Sequence, residues 1–312
     1  MRELSLAFGP QRSLIGTLTL PEQAISPAQC GLVLFNAGVV HRVGPHRINV
    51  KLARRMAQHG MPTIRFDLHG IGDSARPAGA AEYRRQVTDD LSQAMNLLQR
   101  SAGVQRFAVL GFCSGAMPVY WAAQADARIR TLILYDDFGF PTMRSRLRFF
   151  WLRLCCHGLT PAAWIKYAHA FGRMALHLIR RDRASIIRGA ATVATAIPAS
   201  RADKRRLARG LAQLAGDGVK VVLLQSGDDF SRVNYADQTR AALNLPRSDK
   251  RLIYRFLEAV DHAVTSTAAQ RAFLDAVCAE LPTAAADPLP LRSTSRWVPA
   301  KPAQTPSAFR TS

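Results

Sequence analysis

The chain has 312 residues, 48% of them hydrophobic and 21% charged, a balance that supports one large globular domain or two smaller ones and excludes a wholly disordered chain. Lysine and arginine number 42 against 22 aspartate and glutamate, a formal net charge of +20. Such an excess points to an anionic contact (a phospholipid surface, a nucleic acid or an acidic substrate) or reflects an arginine-favouring codon bias.

The opening stretch, MRELSLAFGPQRSLIGTLTLP, has no basic segment followed by an apolar one and reads as two short strands around a Gly9-Pro10 turn. GLVLFN (31–36) is an apolar run ended by the turn signal Ala37-Gly38, as expected of a buried parallel strand. Residues 47–59 place Ile48, Leu52 and Met56 at helical spacing, with Gly60 as the stop. MPTIRFD follows as a strand, then the glycine-rich loop HGIGDSA. Residues 82–100 carry Val87, Leu91, Ala94, Leu97 and Leu98 on one helical face. RFAVLGF is the next strand, and a helix begins at 115–124. TLILYDD (131–137), KVVLLQSGDD (220–229) and RLIYRFLEAVDH (251–262) complete the strand series.

Strands alternate with helices and are continuously apolar, which predicts an α/β fold: a mostly parallel sheet with helices on both faces. The interval 138–217 breaks the rhythm. It is helical in character and rich in Arg, Trp, Phe and Ala, and it is expected to form a cap over the carboxyl edge of the sheet. The core then comprises 1–137 and 218–281. The Pro-, Ala- and Ser-rich tail, 282–312, is expected to be disordered.

The stretch Gly111-Phe112-Cys113-Ser114-Gly115 ends one strand and opens a helix. In such a turn the middle residue is forced into a strained conformation, and small residues two places away on either side relieve the crowding. Cys113 is flanked symmetrically by glycines, whereas Ser114 would have Phe112 at the crowded position. Cys113 is therefore the expected nucleophile, and the backbone N–H of Ser114 an expected oxyanion donor. The alternative is a buried structural cysteine in an ordinary strand-to-helix turn.

A thiolate nucleophile needs a base and an orienting acid. His262 follows the final strand. Asp229, after the preceding strand, is the expected acid; Asp228 and the pair Asp136-Asp137 remain open as alternatives, and Asp261 reads as a loop hydrogen-bonder. No cofactor or metal is expected: Cys155, Cys156 and His157 invite a metal reading, but adjacent cysteines on a helix point in different directions, so they read as packing.

The order Cys113, Asp229, His262 resembles that of the α/β hydrolases. Asp67-Leu68-His69-Gly70-Ile71-Gly72-Asp73-Ser74 is similar to a D-x-x-G-x-G-x-S loop found in many of them. The resemblance covers about 5–281 and implies an α/β-hydrolase fold with a helical cap. It also implies that the loop Asn36-Ala37-Gly38-Val39 supplies the second oxyanion donor, from Gly38 or Val39. Most members carry serine at the elbow. Cysteine there resembles the dienelactone hydrolases and, with NAG…RVGPHR and RFDLHGIGDS, more closely the bacterial hydrolases accompanying exosortase and exopolysaccharide loci; Ser114 departs from the G-x-C-D-G of that group.

Ester, thioester or lactone hydrolysis through an acyl-enzyme is the expected activity, with transfer to another acceptor or a silent scaffold as rivals. The expected partner is a small-molecule acyl substrate. RSRLRFFWLRLCCHGL (144–159) interleaves arginines with Phe149, Phe150 and Trp151, either lining an acyl pocket or lying on an anionic membrane surface. No helix-turn-helix, RNP-like strand or zinc pattern is present, so nucleic acid is not expected. Five cysteines (Cys30, Cys113, Cys155, Cys156 and Cys278) without a CxxC pair suggest free thiols in the cytoplasm, with an option of peripheral attachment to the inner face of the membrane.

Overall fold

The computed structural model describes residues 1–22, 30–77, 79, 82–136, 139–157, 201–227, 233–246 and 249–281. Eight strands form one sheet: β1 (Arg2–Phe8), β2 (Leu14–Leu20), β3 (Gly31–Phe35), β4 (Thr63–Phe66), β5 (Phe107–Phe112), β6 (Ile129–Tyr135), β7 (Lys220–Ser226) and β8 (Leu252–Leu257). Their spatial order is β1-β2-β4-β3-β5-β6-β7-β8. β2 runs antiparallel to both β1 and β4, and every other pairing is parallel. The parallel pairs require crossovers, which the helices supply.

Those helices are α1 (Ile48–Gln58), α2 (Tyr83–Ala102), α3 (Ala116–Ala125), α4 (Met143–His157), α5 (Arg201–Gly216), α6 (Gln238–Leu243) and α7 (Thr267–Glu280). Strand side chains alternate between two cores, as the period of two dictates. In β3, Val33 and Phe35 join Leu91 of α2 and Val119 of α3, while Leu32 and Leu34 join Leu52 of α1 and Phe273 of α7. A fully apolar strand such as GLVLF is thus explained by burial on both faces.

Two described helices, α4 and α5, fall in the interval 138–217 assigned to a cap. Leu207, Leu211 and Leu214 of α5 lie in the core with Tyr120 and Ala123 of α3. The sheet's own covering therefore reaches back into that interval through α5. Residues 158–200 and the tail 282–312 lie outside the described residues.

Candidate active site

β5 ends at Phe112, and Cys113–Gly115 make a single 3-10 turn leading into α3. Cys113 has φ of +51°, a left-handed conformation that a non-glycine residue holds only when its surroundings enforce it. The neighbouring glycines show what enforces it. A Cβ on Gly111 would lie 2.5 Å from the Gly115 carbonyl oxygen and 2.6 Å from Val119 Cγ2; one on Gly115 would meet Phe35 Cζ at 3.1 Å. Strand and helix can approach this closely only without those two side chains. Cys113 remains half-buried rather than sealed in the core.

Behind it, Phe112 is buried against Tyr135 and Phe273, with ring centroids at 4.5 and 5.8 Å. That packing anchors the turn. Ser114 instead turns toward the loop after β3: a Cβ on Gly38 would stand 3.1 Å from Ser114 Oγ. The loop is shaped by Asn36, whose Nδ2 donates to the Gly38 carbonyl at 2.7 Å while its Oδ1 accepts from Leu68 N at 2.9 Å. Gly38 has φ of +56°, and Val39 beside it is exposed.

His262 follows β8. Its loop is fixed by Tyr135, whose hydroxyl donates to the Asp261 carbonyl at 2.8 Å, and by the Asp261 carboxylate, which accepts from Thr265 N at 2.9 Å. Ser266 then caps α7 by accepting from Ala269 N at 3.0 Å. His262 Nδ1 hydrogen-bonds Asp136 Oδ2, and the Cys113 side chain lies near enough to the imidazole to influence its charge. The bond to Asp136, then the nearby Cys113 side chain, raise the imidazole pKa to about 10 against an opposing effect of burial.

The carboxylate that meets His262 is Asp136, one of the alternatives left open beside Asp229. Asp229 was expected to orient His262, but Nδ1 is taken by Asp136; Asp229 itself, with Asp228 and Asp137, lies outside the described residues. Asp136 is the first residue after β6, 3% exposed and at φ of +59°. Ser226 Oγ donates to its Oδ2 at 2.7 Å, Ser226 N to its Oδ1 at 3.2 Å, and Gln225 Nε2 also to Oδ1. Burial pushes this carboxyl upward, but the bonds from His262 and Ser226 outweigh it and hold the pKa below its ordinary value. β7 thus supplies donors to the acid. Gln225 and Ser226 carry this role unannounced in the sequence, where they read only as the end of an apolar strand.

His41, Asp67 and Asp73 bring three metal-capable groups together. Arg42 already provides the cation there: its Nη1 donates to Asp67 Oδ2 at 2.5 Å and to Asp73 Oδ2 at 2.7 Å. This cluster fixes the loop after β4 against the loop after β3.

The sequence matches no family model and no curated protein. Its fold does find matches among solved structures. An α-β serine hydrolase homologue from Coxiella burnetii is 14% identical, with 90% of this chain and 97% of that chain covered at a TM-score of 0.50. DcsB, solved in complex with its substrate analogue, is 15% identical, with coverages of 89% and 98% and a TM-score of 0.51. The fold is that of the α/β hydrolases. In this α/β-hydrolase fold the carboxyl ends of β5 and β6 and the loop after β8 carry Cys113, Asp136 and His262.

Proposed function

We propose that the protein hydrolyses an ester, thioester or lactone through a covalent acyl intermediate on Cys113. The observation that carries this reading is one chain of contacts, from Cys113 at a strained elbow to His262 and from His262 to the buried Asp136. Raised to about 10, the imidazole remains protonated at neutral pH, so a cation stands beside the sulfur that attacks.

The thiolate sulfur attacks the acyl carbon, and the carbonyl electron pair moves to oxygen. Ser114 N–H and a donor from Gly38 or Val39 are assigned to that oxyanion. Its collapse breaks the bond to the leaving alcohol or thiol, which takes the proton from His262. The ring, now neutral and still held by Asp136, is left to deprotonate water. Water attack then frees the acid and restores the thiolate. Asp136, fixed by Ser226, holds the ring in the tautomer that both half-reactions need.

The cysteine at the elbow keeps the likeness to the dienelactone hydrolases and to the exosortase- and exopolysaccharide-associated group. The free thiols of Cys30, Cys113 and Cys278 fit a cytoplasmic setting. The test is a panel of nitrophenyl esters, acyl thioesters and lactones, with and without added alcohol and amine acceptors. Wild type is expected to turn over at least one class and Cys113→Ala none. Cleavage by Cys113→Ala at the wild-type rate would remove the reading, and products made only on the acceptors would convert it to acyl transfer.

A further inference from the structure

Helix α4 carries its large apolar side chains outward. Met143, Leu147, Phe150 and Trp151 follow the i, i+4, i+7, i+8 spacing of a single helical face, and they are 75%, 56%, 44% and 60% exposed. Ser145, on the opposite face, is 5% exposed, while Phe149 and Leu152 on its side are 37% and 43% exposed. The helix is thus docked at its start, through Ser145. Thr142 and Ser145 exchange side-chain to backbone hydrogen bonds at 2.8 and 3.0 Å, and Asn234 Nδ2 donates to the Ser145 carbonyl at 2.8 Å. The orientation is therefore fixed at the start of the helix, and the apolar stripe faces away from the body.

Arginines border the stripe, with Arg144 and Arg148 along one margin and Arg146 along the other; all are exposed, and Arg144 also stacks over the Tyr235 ring at 4.8 Å. The helix sequence, MRSRLRFFWLRLCCH, contains no acidic residue. From this arrangement we infer that α4 docks onto an anionic phospholipid bilayer, with the stripe among the acyl chains and the arginines at the headgroups.

The charge pattern decides among occupants. A second copy would set these arginines against their own kind. The adjoining residues 158–200 contain six lysines and arginines and one aspartate, so the same stretch of chain adds positive charge instead of neutralising it. A nucleic acid would satisfy the arginines but offer nothing to Met143 and Leu147, whereas a bilayer satisfies both. No helix of the described residues is long and apolar enough to cross a membrane, so the contact is with one surface. α4 follows β6 in the chain.

The experiment uses the full chain with vesicles of phosphatidylcholine alone or with phosphatidylglycerol, sedimented over a range of NaCl concentrations. Binding is expected only with phosphatidylglycerol, weakening as salt rises. An Arg146→Glu/Arg148→Glu protein is expected to bind about tenfold or more weakly. A Leu147→Ser/Phe150→Ser/Trp151→Ser protein is expected to lose binding while keeping its circular dichroism and melting midpoint. In wild type, brominated lipid should quench tryptophan emission, and Trp151→Phe should abolish most of that quenching. Failure of wild type to bind, or equal binding by both folded multiple variants, would overturn the inference. Binding to duplex DNA in place of vesicles would overturn it too. Vesicle binding by Cys113→Ala should match wild type, so the result stands apart from the proposed hydrolysis.

Discussion

Nδ1 of His262 hydrogen-bonds Oδ2 of Asp136, across 126 residues of sequence and from two different ends of strands. The carboxylate comes from the end of β6, and the neighbouring β7 contributes Ser226 and Gln225 as donors to it. A buried carboxylate with this many donors stays charged and immobile, which is what an orienting acid must do.

Asp136→Asn keeps the shape of the side chain but reverses the hydrogen-bond character of one position, favouring the wrong tautomer of His262. The proposed hydrolysis should fall by about a hundredfold or more, mostly in kcat. Asp229→Asn, measured beside it, should stay within a few-fold of wild type. The reverse order of effects would return the acid to the end of β7.

The His262–Asp136 pair also makes stability depend on pH in a defined window. The imidazole is raised in the folded state, so its contribution is complete below the ordinary imidazole pKa of about 6.5 and is lost as pH rises through about 10. The carboxyl is lowered, so its contribution is present above the ordinary carboxylate pKa and lost as pH falls through the depressed value. Thermal melts of wild type and His262→Gln should therefore differ most near neutrality and converge above pH of about 10 and at strongly acidic pH. A constant difference across the range would contradict the pairing.

Gly111 is the tightest point of the elbow. Gly111→Ala places a methyl 2.5 Å from a backbone carbonyl that cannot move without shifting α3, and urea unfolding should show a loss of about 1–3 kcal/mol. Gly79→Ala, where an added Cβ meets nothing within 4 Å, is the control and should change little. Equal effects at the two positions would mean that the turn is looser than its distances imply.

The core of the fold was readable because apolar runs and glycine stops directly encode strands and crossovers. Residues 31–36 became Gly31–Phe35, and 47–59 became Ile48–Gln58. The position of Cys113 at the turn after β5 was readable because its two glycines are local in sequence, and that of His262 because it follows the last strand. The acid was harder. Two adjacent β-strands each end in a pair of aspartates, and only the donors contributed across the β6–β7 pairing distinguish them; that pairing is spatial. The outward apolar face of α4 was similarly hidden, because a spacing identifies a face without saying which way it points. The anchor at Ser145 and Asn234 supplies the direction.

The rate of Cys113 alkylation by iodoacetamide at pH 7, followed by peptide mass spectrometry, tests the activation of this thiol by His262 most directly. Wild type is expected to react about tenfold or more faster than His262→Ala and Asp136→Asn, because the imidazolium partner, which persists to about 10, favours the attacking form of the sulfur. Wild-type alkylation no faster than in the two variants would show that Cys113 has no charged partner and would contradict the catalytic assignment.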